Sequence, residues 1–243
     1  ATPHLGASTV EAQTKVAREI AHSMAAALYE KPVGGVVNAP DLTLAQSPDL
    51  KPWTALAEAL GALVAHLIVG QVRSLSIELT GAALAKAGSL CAAGCLVGLF
   101  RKATGHTVNL ISAPAFAAER EIEVNHSINT SNGMYTNLLK LTVEDVKATH
   151  VIAGTTMGAR QLRVVQLNEH HIEFSPRGYL LLYKSIDKPG VLSRVSGLVG
   201  SAGVNIVSAA VSSANSENQI VNVFNIQHKM EPALIGETNA PPA

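Results

Sequence analysis

Cysteine is nearly missing from this sequence: Cys91 and Cys95 are the two it has in 243 residues. That argues against a disulfide scaffold and a cysteine-based metal cluster, because an (i, i+4) pair without neighbouring His or Cys reads as two small apolar side chains on one helix face. No metal site is expected. Net charge is missing as well, with 18 Lys+Arg against 18 Asp+Glu, and neither sign forms a long block. Such a chain is neither a phosphate-backbone binder nor a membrane-surface helix, so neither nucleic acid nor a membrane is an expected partner. The longest apolar stretch, residues 55–70, is interrupted by Glu58 and His66 and is too short to cross a bilayer, so it reads as a core helix. The sequence opens on Ala1 rather than Met, with no charged segment leading into an apolar one. The expectation is an N-terminus cut from something longer, any targeting peptide lost with it, and a cytoplasmic protein, or a plastid one if the source is a plant.

What the chain does have is 47% hydrophobic residues, enough to bury a real core and to build two domains. Its most regular stretch runs from Tyr179 to Gln227. An apolar run, Tyr179-Leu180-Leu181-Leu182-Tyr183, stops at Asp187-Lys188-Pro189-Gly190, a helical pattern follows, and Gly203-Val204-Asn205-Ile206 opens a second apolar run. The pattern predicts strand, turn, helix, turn, strand. Asp187 stands where an N-cap belongs and Pro189 falls in the first turn, where its missing N–H is harmless. Val191, Leu192, Val195, Leu198, Val199 and Ala202 share one helical face, and Gly203 suits the left-handed residue that ends many helices. A third strand is expected over residues 219–227.

Asp187-Lys188-Pro189-Gly190-Val191-Leu192, followed by Gly203-Val204-Asn205-Ile206, resembles an ACT domain, the small ferredoxin-like βαββαβ module that binds amino acids and regulates metabolic enzymes. Physically, a free amino acid needs an anion for its ammonium and N–H donors for its carboxylate. Asp187 can take the ammonium, Asn205 can donate and accept, and the N–H groups at the helix start favour the carboxylate. In some relatives a His stands two residues before the acidic position, and here it is Ser185. Micromolar affinity is about −8.2 kcal/mol, while a ligand of serine's size is limited to roughly −1.5 kcal/mol per heavy atom. Nearly every polar atom must be engaged, which calls for a groove closed by a second chain. The plainer reading makes Asp187 a helix cap and Asn205 a turn residue.

At the other end, Ser8 and Glu11 are spaced as a capping box before a helix with an apolar face of Val16, Ala17, Ile20, Ala21, Met24, Ala27 and Leu28. That helix needs something to cover it. The segment Pro3-His4-Leu5-Gly6-Ala7-Ser8-Thr9-Val10-Glu11-Ala12-Gln13 and the later Gly35-Val36-Val37-Asn38 resemble the last active-site segment of the D-isomer-specific 2-hydroxyacid dehydrogenases, and within them the phosphoglycerate dehydrogenases. By that resemblance His4 is the general acid/base that exchanges a proton with the substrate hydroxyl while hydride passes to or from NAD, a role suited to a side chain with a pKa of about 6.5. The carboxylate that orients such a His, the Arg that holds substrate and the Gly-x-Gly-x-x-Gly unit for NAD would all precede Ala1. The comparable glycines, Gly197, Gly200 and Gly203, fall at the C-terminal end of a helix, where the dipole repels a pyrophosphate. This chain alone is therefore expected to bind no NAD and to be inactive as a dehydrogenase.

Between these ends, residues 41–52 read as a proline-marked linker. Helices are expected over residues 53–69, 90–104 and 113–118, and strands near 75–79, 122–127, 138–143, 150–153, 162–167 and 171–174. This mixed α/β region, with Ala113-Pro114-Ala115 and Val165-Gln166-Leu167-Asn168, resembles the intervening domain of the longer phosphoglycerate dehydrogenases, which is regarded as an effector- or substrate-sensing unit. Lys140, Arg160 and Arg163 are the cations singled out for an anion, and scattered cations of this kind are commonly solvated surface.

The expected fold class is thus α/β (α+β): residues 1–40 a remnant of a catalytic domain, 41–177 a mixed α/β intervening domain, 178–230 a βαββ portion of an ACT domain, and 231–243 a tail too short for its last helix and strand. An incomplete ACT sheet leaves an open edge, so a homo-oligomer is expected. The leading functional expectation is the C-terminal part of an NAD-dependent dehydrogenase of serine biosynthesis, oxidising 3-phosphoglycerate to 3-phosphohydroxypyruvate in its whole form, with L-serine as feedback effector at Ser185, Asp187 and Asn205. The alternatives are a non-enzymatic amino-acid sensor and the regulatory part of an L-serine dehydratase.

Overall fold

The structure is a computed structural model that describes residues 6, 8–29, 42–45, 47–102, 108–129, 134–158 and 161–230. His4, Arg160, residues 35–38 and the tail 231–243 lie outside the described residues. So does the expected loss of the last ACT helix and strand.

The chain begins with α1 (Val10–Leu28), whose N-cap is Thr9 rather than Ser8, its side chain accepting from the Ala12 N–H. That shift places Glu11 one residue too early for the expected capping box. No residue of α1 is buried, and Val16, Ile20, Met24 and Leu28 stand exposed along it. After the short α2 (Leu42–Ala45) comes α3 (Lys51–Val64), with Pro52 in its first turn. The chain continues as β1 (Val72–Thr80), a short 3-10 turn, α4 (Gly88–Arg101), α5 (Ser112–Glu119), β2 (Glu123–Asn129), β3 (Leu138–Asp145), β4 (Thr149–Met157), β5 (Gln161–Leu167) and β6 (His170–Phe174). These six strands form one sheet in the order β2-β1-β3-β4-β5-β6. β1 and β2 are parallel, joined by a crossover through α4 and α5; β3 runs antiparallel to β1, and β3 to β6 follow one another as antiparallel hairpin neighbours. Alternation decides the faces: Leu75, Ile77 and Leu79 of β1 and Leu139, Leu141 and Val143 of β3 are buried in one cluster with Leu56, Leu60 and Leu96 of the helices. Polar residues between them face away.

Ahead of α5 the Asn109 carboxamide accepts from the N–H groups of Ile111 and Ser112, an Asx turn that starts the helix. One expectation for this region needs correction. The helix expected to run to residue 69 ends at Val64, because the bonds His66 N–H to Leu63 O and Leu67 N–H to Val64 O tighten its exit. The freed Val69 N–H then donates to the Asp145 carboxylate at 2.9 Å.

Asp145 ties this exit to the β3–β4 turn. Its buried carboxylate also accepts from the N–H groups of Lys147 (2.7 Å) and Ala148 (2.8 Å), and lies 3.2 Å from His150 Nε2. The Val69 and Lys147 N–H groups, in that order, hold the carboxyl well below the usual carboxylate range against the opposing effect of burial. A depressed folded-state pKa contributes stability that is full above the unfolded value, about 3.9, and is lost as pH falls through the folded one. Asp145→Ala is therefore expected to lower the thermal midpoint markedly at pH 7, with the gap to wild type closing toward pH 2; a gap independent of pH would contradict it.

The C-terminal unit is β7 (Tyr179–Ile186), α6 (Val191–Ser201), β8 (Ile206–Val211) and β9 (Gln219–Ile226), an antiparallel sheet ordered β7-β9-β8. Helix α6 ends as expected: Gly203 has φ +73°, its N–H bonds Gly200 O, and the Val204 N–H bonds Val199 O. Leu181, Phe224 and Ile226 face Val195 and Val199 of α6. Val221 and Val223 face the other way, into the core of the large sheet. Asn225 reinforces that junction, its Nδ2 donating to Ser175 O and Arg177 O at 3.0 Å each. The two units therefore share a core.

Candidate functional site

β7 carries Ser185 near its C-terminal end, and the chain leaves the sheet at Asp187. The Asp187 N–H donates to Asn218 O at 2.9 Å, and its own carbonyl accepts from Asn218 Nδ2 at 3.3 Å. The backbone is thus clamped while the exposed carboxylate has no protein partner among the described residues. Asp187 is not the helix cap that the sequence predicts. Gly190, with φ +88°, occupies the N-cap position, no side chain caps α6, and Pro189 precedes the helix. The left-handed glycine turns the chain into the helix one residue beyond Pro189, and so releases Asp187 for other contacts.

Asn205 is not brought to the same place. Its carbonyl accepts from the Gln227 N–H, beyond the far end of β9, whereas Asp187 bonds Asn218 before the near end. At about 3.4 Å per residue the two lie on the order of 30 Å apart along one chain. Ser185 and Asp187 therefore form one half of a candidate site and Asn205 a separate half.

Beside Ser185 stands a residue that the sequence reading missed. Asn222 of β9 is 1% exposed, its Nδ2 donates to Ser185 Oγ at 3.0 Å, and its Oδ1 has no hydrogen-bond partner. Tyr183 lies opposite Asn222 in the register, its hydroxyl also buried and unpaired. Burial pushes that phenol up to about 12, and its ring meets Phe224 edge-on at 5.8 Å. A signal for Asn222 was present: an amide inside Ile220-Val221-Asn222-Val223-Phe224 is a polar residue at a core position.

The anion candidates fare differently. Lys140 and Arg163 share the sheet face that points away from α3 and α4, on strands separated by β4. Lys140 stands across from Glu78 and Ala153, while Arg163 Nε lies 3.4 Å from Glu173. They lie on the large sheet, whereas Ser185 and Asp187 lie on and just after β7 of the small one. His170 points inward and His171 outward, so they form no metal pair; His170 Nδ1 lies 3.2 Å from Ser212 Oγ across the junction of the sheets. Cys91 and Cys95 are both buried, which raises each thiol, that of Cys91 to about 12. Between the units lies a cleft of about 970 Å³ lined by Ala59, Leu63, Phe174, Leu180 and Ile226, with the Arg101–Glu58 ion pair at its edge.

Comparison with known proteins accounts for both sheets. A family model described as the D-3-phosphoglycerate dehydrogenase intervening domain matches residues 49–168, and the ACT domain model matches residues 179–240. The chain belongs to the D-3-phosphoglycerate dehydrogenase family. Similar curated proteins of that name come from Bacillus subtilis, 28% identical over 99% of this chain and 46% of the relative, and Methanocaldococcus jannaschii, 31% identical over 96% and 44%. Another, from Synechocystis, is 31% identical over 97% of this chain and 43% of its own length. The chain thus spans less than half of the curated relatives it matches. In these terms the large sheet with α3 to α5 is the intervening domain, and the sheet with α6 is the ACT domain. No helix among the described residues is long and apolar enough to cross a membrane.

Proposed function

We propose that this chain is the regulatory C-terminal part of a D-3-phosphoglycerate dehydrogenase and that its ACT domain binds L-serine as a feedback effector. The carrying observation is the exposed Asp187 carboxylate, freed from capping and held with Ser185 at the uncapped start of α6. Asp187 takes the ammonium, and Ser185 with the N–H groups of the first helical turn takes the carboxylate. Asn205 completes the site from a second copy, because one chain keeps it on the order of 30 Å away. The ACT domain is therefore an oligomerisation unit as well as a sensor.

The remaining assignments follow from the same reading. Residues 1–40 are the end of the catalytic domain, and the exposed apolar face of α1 belongs against the rest of it. His4 serves there as acid/base for oxidation of 3-phosphoglycerate to 3-phosphohydroxypyruvate, with NAD held by the catalytic half. Lys140, Arg160 and Arg163 are the anion candidates of the intervening domain, and the enzyme works in the cytoplasm or a plastid. The matched intervening domain favours this over a free-standing sensor or a serine dehydratase subunit. Calorimetric titration of the chain with L-serine tests the effector reading: a saturable heat, absent with D-serine, is expected, and no heat for any L-amino acid overturns it.

A further inference from the structure

Asn225 and Asn222 are both buried amides of β9, and only one of them is explained by the fold. Asn225 donates to two carbonyls of the segment joining the domains and accepts from Ser208, so its polar atoms are engaged. Asn222 makes one bond, to Ser185 Oγ, and leaves Oδ1 unpaired while 1% exposed. A buried acceptor without a partner is costly, and an apolar side chain of like size would avoid that cost. The value of this amide lies in its one bond.

That bond has a direction. A serine hydroxyl has one proton to donate and two lone pairs to accept with. The Asn222 N–H occupies a lone pair of Ser185, and among the described residues nothing accepts the Ser185 proton. Ser185 is half-buried at the exposed end of β7, two residues along the chain before the exposed Asp187, roughly 7 Å of extended backbone. Resting on the effector reading above, we propose that Asn222 is a positioning residue that fixes the Ser185 hydroxyl as a donor aimed at the effector's carboxylate, while Asp187 holds its ammonium. The ligand class follows: an α-amino acid zwitterion whose carboxylate is required, not merely tolerated.

The full 243-residue chain, titrated by calorimetry with L-serine and with L-serine methyl ester, tests this in wild type, Asn222→Leu, Ser185→Ala and the double variant. Wild type is expected to prefer L-serine, each single variant to weaken L-serine by about tenfold while leaving the ester unchanged, and the double variant to be no weaker than Ser185→Ala. A purely structural Asn222 would weaken both ligands alike and add to the loss in the Ser185→Ala background, and either result overturns the proposal. Thermal unfolding is recorded for each variant; if Asn222→Leu does not unfold cooperatively, Asn222→Ala takes its place in the cycle. Equal affinity of Ser185→Ala and wild type for L-serine also overturns it. A wild type that binds no amino acid overturns the effector reading and this inference together, whereas wild-type binding with unchanged variants overturns this inference alone.

Discussion

Gly98→Ala is expected to cost the fold about 3 kcal/mol, although the same change inside an exposed helix stabilises by up to about 1 kcal/mol. The sign reverses because α4 crosses α3 at backbone contact. A Cβ on Gly98 would run into the Glu58 carbonyl oxygen and the Ala62 nitrogen, and a Cβ on Gly61 would run into the Cys95 carbonyl. These are main-chain atoms, so no rotamer change relieves the overlap and the helices must separate. Separation would loosen the packing of Leu56, Leu60, Leu96 and the sheet beneath them, all within one buried cluster. Gly197→Ala in α6 is the control, since its Cβ meets nothing within 4 Å, and a gain of roughly 0.5–1 kcal/mol is expected there. Urea unfolding of the two variants beside wild type decides it: equal gains in both would mean that α3 and α4 do not pack this closely.

Nothing in the sequence paired Gly61 with Gly98, and the reason is general. Periodicity shows which face of a helix is apolar, but a glycine on that face reads only as a weak helix former until its neighbour is known. Strand positions were more legible. Alternation in 75–79 and 138–143, and the apolar runs at 162–167 and 179–183, each fall within an observed strand, because a half-buried strand writes its period into the residues that face the core. The end of α6 was legible for a local reason too: Gly203 needs nothing beyond its own turn to adopt φ +73°. Its beginning is not legible, since Asp187 two residues before Pro189 is a strong cap signal and only the left-handed Gly190 shows that the helix starts later.

The residues proposed for the effector are local to the motif in part. Ser185 near the end of β7 and Asp187 just after it both precede α6. Asn205 is marked by the same resemblance, yet one chain holds it at the other end of the sheet. Asn222 was overlooked because an amide in an apolar strand has no motif, and its meaning depends on a partner thirty-seven positions away. Its neighbours on β9, Val221 and Val223, are fully buried in the intervening-domain core. Asn222 thus links Ser185 to a strand whose alternate side chains pack in the core of the large sheet.

Co-expression of Asp187→Ala and Asn205→Ala chains is expected to restore L-serine binding that neither variant shows alone. Each single variant loses a hydrogen bond to a charged group, about 1.5–3 kcal/mol or roughly 10- to 100-fold in affinity, from a ligand too small to spare one. If two copies pair about a twofold axis with Asp187 of one facing Asn205 of the other, a mixed dimer holds one site with both mutations and one with neither. Random pairing makes about half the dimers mixed, so about a quarter of the wild-type number of sites should reappear at wild-type affinity. Calorimetric stoichiometry on the unfractionated mixture measures that fraction, and on the doubly tagged, co-purified complex, in which every dimer is mixed, it should rise to about half. A site confined to one chain would recover nothing on mixing, because every copy would still carry one lesion. Recovery at reduced affinity would mean instead that Asn205 shapes the interface without touching the effector.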